Sequence, residues 1–95
     1  MSGGHFNDNG YIYHQVSQFA YELEEEIQNN NVKDEYGYTP NRSPEVIEYL
    51  EEQVHILHKM ADIMRHIDFL YSGDHGEDSF MERVMEVERK YGSTL

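Results

Sequence analysis

SPEVIEYLEEQVHILHKMADIMRHIDFLY, residues 43–71, is the stretch on which the fold turns. Ser43 can accept a hydrogen bond from an early amide as an N-cap. Pro44 suits the first helical position, where no amide hydrogen is needed, and Glu45 complements the positive end of the helix dipole. No further proline or glycine interrupts the run until Gly73, a residue that commonly ends a helix. These signals predict one long helix of about seven turns. Val46, Leu50, Leu57, Met60, Met64, Ile67 and Tyr71 are expected on its apolar face, and Glu48, Glu51, His55, His58, Asp62 and His66 on a solvated one.

Upstream, Ile12, Val16, Phe19, Ala20, Leu23 and Ile27 recur at spacings of three and four, which predicts a first helix over residues 11–28. Its second half carries Glu22, Glu24, Glu25 and Glu26, where the dipole disfavours negative charge. A cationic partner or a solvated end is expected to relieve that. Residues 29–42, with three asparagines followed by Asp34-Glu35-Tyr36-Gly37-Tyr38-Thr39-Pro40, read as a Tyr-rich loop of roughly a dozen residues, a length usually given to functional or mobile segments. Downstream, Ser79 and Glu82 fit a capping box for a third helix, in which Phe80, Val84, Val87 and Tyr91 share a side. Arg89, Lys90 and Gly92 read as its stop. Residues 1–10 read as a flexible head rich in glycine and asparagine. The expectation is a single all-α domain over residues 1–95, a helix–long helix–helix antiparallel bundle.

At 95 residues the core is modest, removing only about two thirds of the unfolded surface from water. The long helix presents more apolar surface than two shorter helices cover, so a homo-oligomer, a dimer or higher, is expected. Nineteen acids against seven bases give a net charge of −12, a field that disfavours direct binding to nucleic acid or an anionic membrane and favours a basic partner. The absence of cysteine removes disulfides, thiolate nucleophiles and zinc–thiolate sites. There is no signal-peptide pattern, no myristoylation pattern and no apolar run near the roughly 20 residues that span a bilayer. A cytoplasmic location is expected.

Three constellations carry candidate chemistry. On the long helix, Glu48, Glu51, Glu52, His55, His58, Asp62 and His66 offer metal-ligand types at one-turn spacings, and Glu52 with His55 forms a Glu-x-x-His unit. A di-metal carboxylate bundle needs two such units and further inward carboxylates. With one unit present, the expectation is a solvated face and no metal. Facing pairs such as Glu22 and Glu25 against Glu48, Glu51 or Asp62 raise a Mg²⁺-dependent pyrophosphohydrolase, but the groups to hold a triphosphate are missing. No nucleophile and base are specified, so no enzyme and no cofactor are expected. The third constellation, residues 65–83, places Arg65, His66, His75 and Arg83 among Phe69, Tyr71 and Phe80, with Ser72 and Ser79 flanking two glycines. It reads as an anion- and base-binding junction. Its structural counterpart has Arg65 paired with Asp62 or Asp68, and Asp74 and Ser79 as caps.

Residues 1–6, Met-Ser-Gly-Gly-His-Phe, and residues 65–80, in the pattern Arg-x-Ile-Asp-[Phe/Trp]-Leu-x-Ser-Gly-Asp-x-Gly-Glu-x-Ser-Phe, resemble a family of small phage and prophage proteins. That family more often has Trp at position 69 and Asp at 75. The resemblance implies phage context and assigns no catalytic residue. In that context the expected function is inhibition of host anti-phage immunity by sequestering a nucleotide-derived signal in an oligomer pocket in the host cytoplasm. The pocket is expected to be lined by His5, Phe6, Tyr36, Tyr38, Arg65, Asp68, Phe69, Ser72, Asp74, Ser79 and Arg83. The alternative is an acidic nucleic-acid mimic that blocks a basic host nuclease or DNA-binding protein. The third reading is a virion or interaction subunit bound through the Tyr-rich loop.

Overall fold

The computed structural model describes residues 11–92, which form α1 (Tyr11–Gln28), α2 (Pro44–Tyr71) and α3 (Glu77–Lys90), with no strand among the described residues. Ser43 stands in extended backbone before α2, and its Oγ accepts from the Val46 amide at 3.4 Å, with Pro44 in the first turn. At the other end Gly73 takes φ +85°, so the chain reverses through a Schellman motif. The Gly73 amide donates to Leu70 at 3.3 Å and the Asp74 amide to Phe69 at 2.9 Å. The His75 amide shares the Phe69 carbonyl at 3.3 Å, which folds His75 back over the last turn of α2.

Helix α3 corrects the expected capping box. Its N-cap is Gly76, which makes no side-chain cap bond, and Ser79 lies inside the first turn, exposed. The reversal at Gly73 brings the chain into the helix sooner than the Ser79 signal implies. Glu77 and Asp78 then place their charges at the positive end of the dipole, and Arg89 and Lys90 close the negative end.

Helix α1 runs antiparallel along α2, and the connecting loop is fastened rather than loose. Asn30 Oδ1 accepts from the Arg42 amide at 2.9 Å while its Nδ2 donates to the Arg42 carbonyl at 3.3 Å. The Asn31 amide, at φ +66°, reaches the Pro40 carbonyl at 2.7 Å. Asp34 organises the tip by accepting from the amides of Tyr36 and Tyr38 at 2.9 and 2.8 Å, an Asx-type turn. At the acidic end of α1, Glu22, Glu25 and Glu26 are exposed to solvent, the solvated form of relief, and Glu24 lies 3.8 Å from His58.

Both α1 and α3 pack on α2 and not on each other. The buried line of α2 is Val54, Ala61 and Asp68, joined by Ala20 of α1, Val87 of α3 and Ser72. This corrects the expected apolar face, because Val46, Met60 and Tyr71 are exposed. The expected solvated face is corrected too. His58, Asp62 and His66 are half-buried at the helix contacts, whereas Glu48, Glu51 and His55 are exposed. With 3.6 residues per turn, the side of α2 that meets α1 (Val54, Ala61, Arg65) and the side that meets α3 (Lys59, Asp62, His66) are roughly 110° apart. The three helices therefore make a shallow V with α2 at its vertex. Its extents are 51 × 31 × 13 Å and its radius of gyration is 16.8 Å, against roughly 12 Å for a compact chain of this length.

Candidate binding site

The junction from α2 to α3 is built around one ring. Arg65 sits one turn before Phe69, and its guanidinium carbon lies 5.2 Å from the ring centroid, a cation–π contact. The reversal at Gly73 sets His75 edge-on to the same ring at 5.4 Å, and His66 approaches it at 6.2 Å. The two imidazoles meet each other, with His66 Nδ1 and His75 Nε2 3.5 Å apart. Burial holds the pKa of His66 below its ordinary value, and the charges of His75, Arg65 and Arg83 add to this while Asp62 opposes it. Two arginines and two histidines thus act on one small region of a molecule that carries −12 overall.

Beside Phe69, α1 completes a shallow groove. It is lined by Tyr13, His14 and Ser17 from α1 and by Ala61, Arg65 and Phe69 from α2. Ala61 is buried there, and the Tyr13 and Phe69 rings are part of the lining. Tyr13 and His14 lie 4.9 Å apart, centroid to centroid. Among the described residues no carboxylate pairs with Arg65, whose side chain lies over Phe69 and lines the groove. Such a groove suits a planar group carrying negative charge.

Asp62, one of the two acids expected to pair with Arg65, is engaged by α3 instead. Its Oδ2 accepts from the Tyr91 hydroxyl at 3.0 Å and stands 4.0 Å from Lys90 Nζ. Burial, then the hydrogen bond to Asp62, pushes the Tyr91 pKa up to about 12. Tyr91, read from sequence as an apolar contact, is therefore also a polar tie between α3 and α2. Lys59 to Glu88 at 3.1 Å is a second tie, and the His55 ring edge on Tyr91 at 5.4 Å a third.

The expected site residues divide into six groups. Arg65 and Phe69 line the groove. Arg83 is exposed beside it, weakly associated with Glu86 at 4.0 Å. Asp68 and Ser72 are buried, and the Ser72 hydroxyl donates toward Asp68 Oδ1 at 3.5 Å. Asp74 and Ser79 are exposed, and Asp74 contributes its amide to the turn. Tyr36 and Tyr38 belong to the loop before α2, a helix of 28 residues, and so lie roughly 40 Å of helix from the junction. In a single chain they cannot share its groove. His5 and Phe6 lie outside the described residues. The α1 contributors Tyr13, His14 and Ser17 were missed, although their i, i+1, i+4 spacing in the first turns of an antiparallel helix places them opposite the end of α2.

No three of His, Asp and Glu are gathered closely enough for a metal ion among the described residues. Glu22, Glu25, Glu48 and Glu51, the facing carboxylates considered for phosphate chemistry, are all exposed. No described helix is long and apolar enough to cross a membrane. Comparison with protein-family models, curated proteins and solved structures returned no match.

Proposed function

We propose that this protein is a non-catalytic binder that sequesters a small, planar, anionic molecule of the nucleotide class in the groove between α1 and α2. The observation that carries the reading is Arg65, stacked on Phe69 and free of any described carboxylate, facing a groove whose other walls are Tyr13, His14 and Ser17. Aromatic faces supply sequence-tolerant stacking for a base, and the guanidinium supplies charge-assisted donors for phosphate. Both act at equilibrium without a reacting group. The resemblance to small phage proteins supports placing this activity in the host bacterial cytoplasm, as inhibition of an immune pathway that signals through nucleotides.

Isothermal titration against cyclic dinucleotides and ADP-ribose derivatives tests the proposal. A ligand should bind the native chain and bind Arg65→Ala at least about tenfold more weakly, the worth of a hydrogen bond to a charged group. The variant should keep its helical circular dichroism and its melting temperature. Binding to none of these molecules defeats the reading. A mimic of nucleic acid is the second reading, favoured by the exposed Glu22, Glu25, Glu26, Glu45, Glu48, Glu51 and Glu52. It predicts salt-sensitive capture of a basic host nuclease that weakens when Glu48, Glu51 and Glu52 are neutralised together.

A further inference from the structure

Helix α2 has three sides, and the other two described helices cover two of them. Val54, Ala61 and Arg65 turn toward α1, while Lys59, Asp62 and His66 turn toward α3. The remaining side carries Val46, Tyr49, Ile56, Met60, Ile67 and Tyr71, of which all but Ile67 are exposed. We propose that a second copy of this chain docks on that side, with the two α2 helices antiparallel.

Four observations select this occupant. First, the core of one copy is small among the described residues. Its buried apolar residues among those described are two alanines and two valines, and no large side chain is fully buried. Second, the amount of surface is right. Tyr49 is 60% exposed, Ile56 47%, Met60 46% and Tyr71 60%, and Ile12 and Phe19 of α1 are exposed as well. Together with Val46 these offer on the order of 800 Å² per copy, the share one partner contributes to an interface of standard size. Third, the spacing is that of a helix-pairing seam. Val46, Tyr49, Gln53, Ile56, Met60, Ile63 and Ile67 alternate steps of three and four without a break, the pattern that sustains knobs-into-holes packing. A two-fold operation presents this seam to itself. Fourth, charge sets the direction. Parallel pairing would set Glu45 and Glu52 against their own counterparts, whereas antiparallel pairing separates them along the helix and opposes the helix dipoles favourably.

The first ten residues contain only Met1 and Phe6 as large apolar groups, too few to cover a face of this length. The seam also lies outside the V, so pairing leaves the Arg65 groove of each copy open. The dimer therefore stands or falls independently of the ligand reading.

Sedimentation equilibrium on the full chain should give about twice 11.3 kDa, and Ile56→Glu should bring the mass to 11.3 kDa. A native chain that sediments as a single copy overturns the proposal, as does an unchanged dimer in Ile56→Glu. Cysteine cross-linking, clean here because the chain has no cysteine, reads the same contact without a disruptive charge. The antiparallel register places Val46 of one copy near Tyr71 of the other, so a mixture of Val46→Cys and Tyr71→Cys should cross-link under mild oxidation while Val46→Cys alone does not. Efficient cross-linking of Val46→Cys with itself, or none in the mixture, refutes the antiparallel pair.

Discussion

His66 is the residue most exposed to a change of conditions. Folding part-buries its ring, beside His75 and within the fields of Arg65 and Arg83, with Asp62 the one opposing charge, and its pKa falls. The unfolded chain takes up the proton more readily, so protonation favours unfolding. The stability associated with a neutral His66 is complete above the ordinary value of 6.5 and is lost as pH drops through the lower folded-state value. Urea denaturation on the two sides of 6.5 should show a lower midpoint on the acid side, and His66→Gln should shrink the difference. An equal acid sensitivity in the variant would place the titration elsewhere. Tyr91 allows a cleaner measurement. Tyr91→Phe keeps the ring against His55 and removes the hydroxyl from Asp62, so chemical denaturation should report a loss of about 1 kcal/mol. No change in midpoint would show that Asp62 finds equal satisfaction in water and Lys90.

Among the elements, the α2–α3 turn contains two glycines with opposite requirements. Gly73 sits at φ +85° with nothing within 4 Å of where a Cβ would stand, so its constraint is purely conformational. Gly73→Ala should destabilise by about 1 kcal/mol, the cost of left-handed backbone for an L-residue. Gly76 has equally open surroundings at φ −78°. Gly76→Ala there reduces the freedom of the unfolded chain, while alanine is a poorer N-cap residue than glycine. The net change should stay within about 0.5 kcal/mol, and thermal melts of the two variants should separate them clearly. Equal losses would mean that both positions are limited by packing with something outside the turn.

For the whole molecule, the decisive property is thinness. A single layer of three helices, 13 Å in its shortest extent, leaves one side of α2 apolar and the inside of the V polar and aromatic. If a second copy supplies the missing layer, stability is tied to concentration by mass action. The melting temperature of the native chain should rise with protein concentration, and that of Ile56→Glu should be lower and independent of it. A melting temperature constant over a hundredfold dilution range would show a self-sufficient single chain. The same shape separates the acidic exterior of α1 and the first half of α2 from the Arg65–Phe69 groove, so the two functional readings concern different surfaces.

The sequence by itself determined the elements, because helix limits are local events. Ser43-Pro44 starts α2 through a hydroxyl and a missing amide hydrogen, and Gly73 and Gly92 stop helices through backbone freedom. Spacings of three and four mark α1 without reference to anything distant. The tertiary structure decided what those local rules leave degenerate. Several stripes of α2 are apolar enough to be buried, and the position of α1 against Ala61 selected a line other than the one a simple hydrophobic count favours. That Asp62 meets Tyr91 and Lys90, and that Arg65 lies over Phe69 instead of pairing with Asp62, became visible only in the packed structure. The antiparallel hairpin likewise separated Tyr36 and Tyr38 from the junction and brought Tyr13, His14 and Ser17 to it, since proximity across helices depends on register and rotation, which no short stretch of sequence encodes.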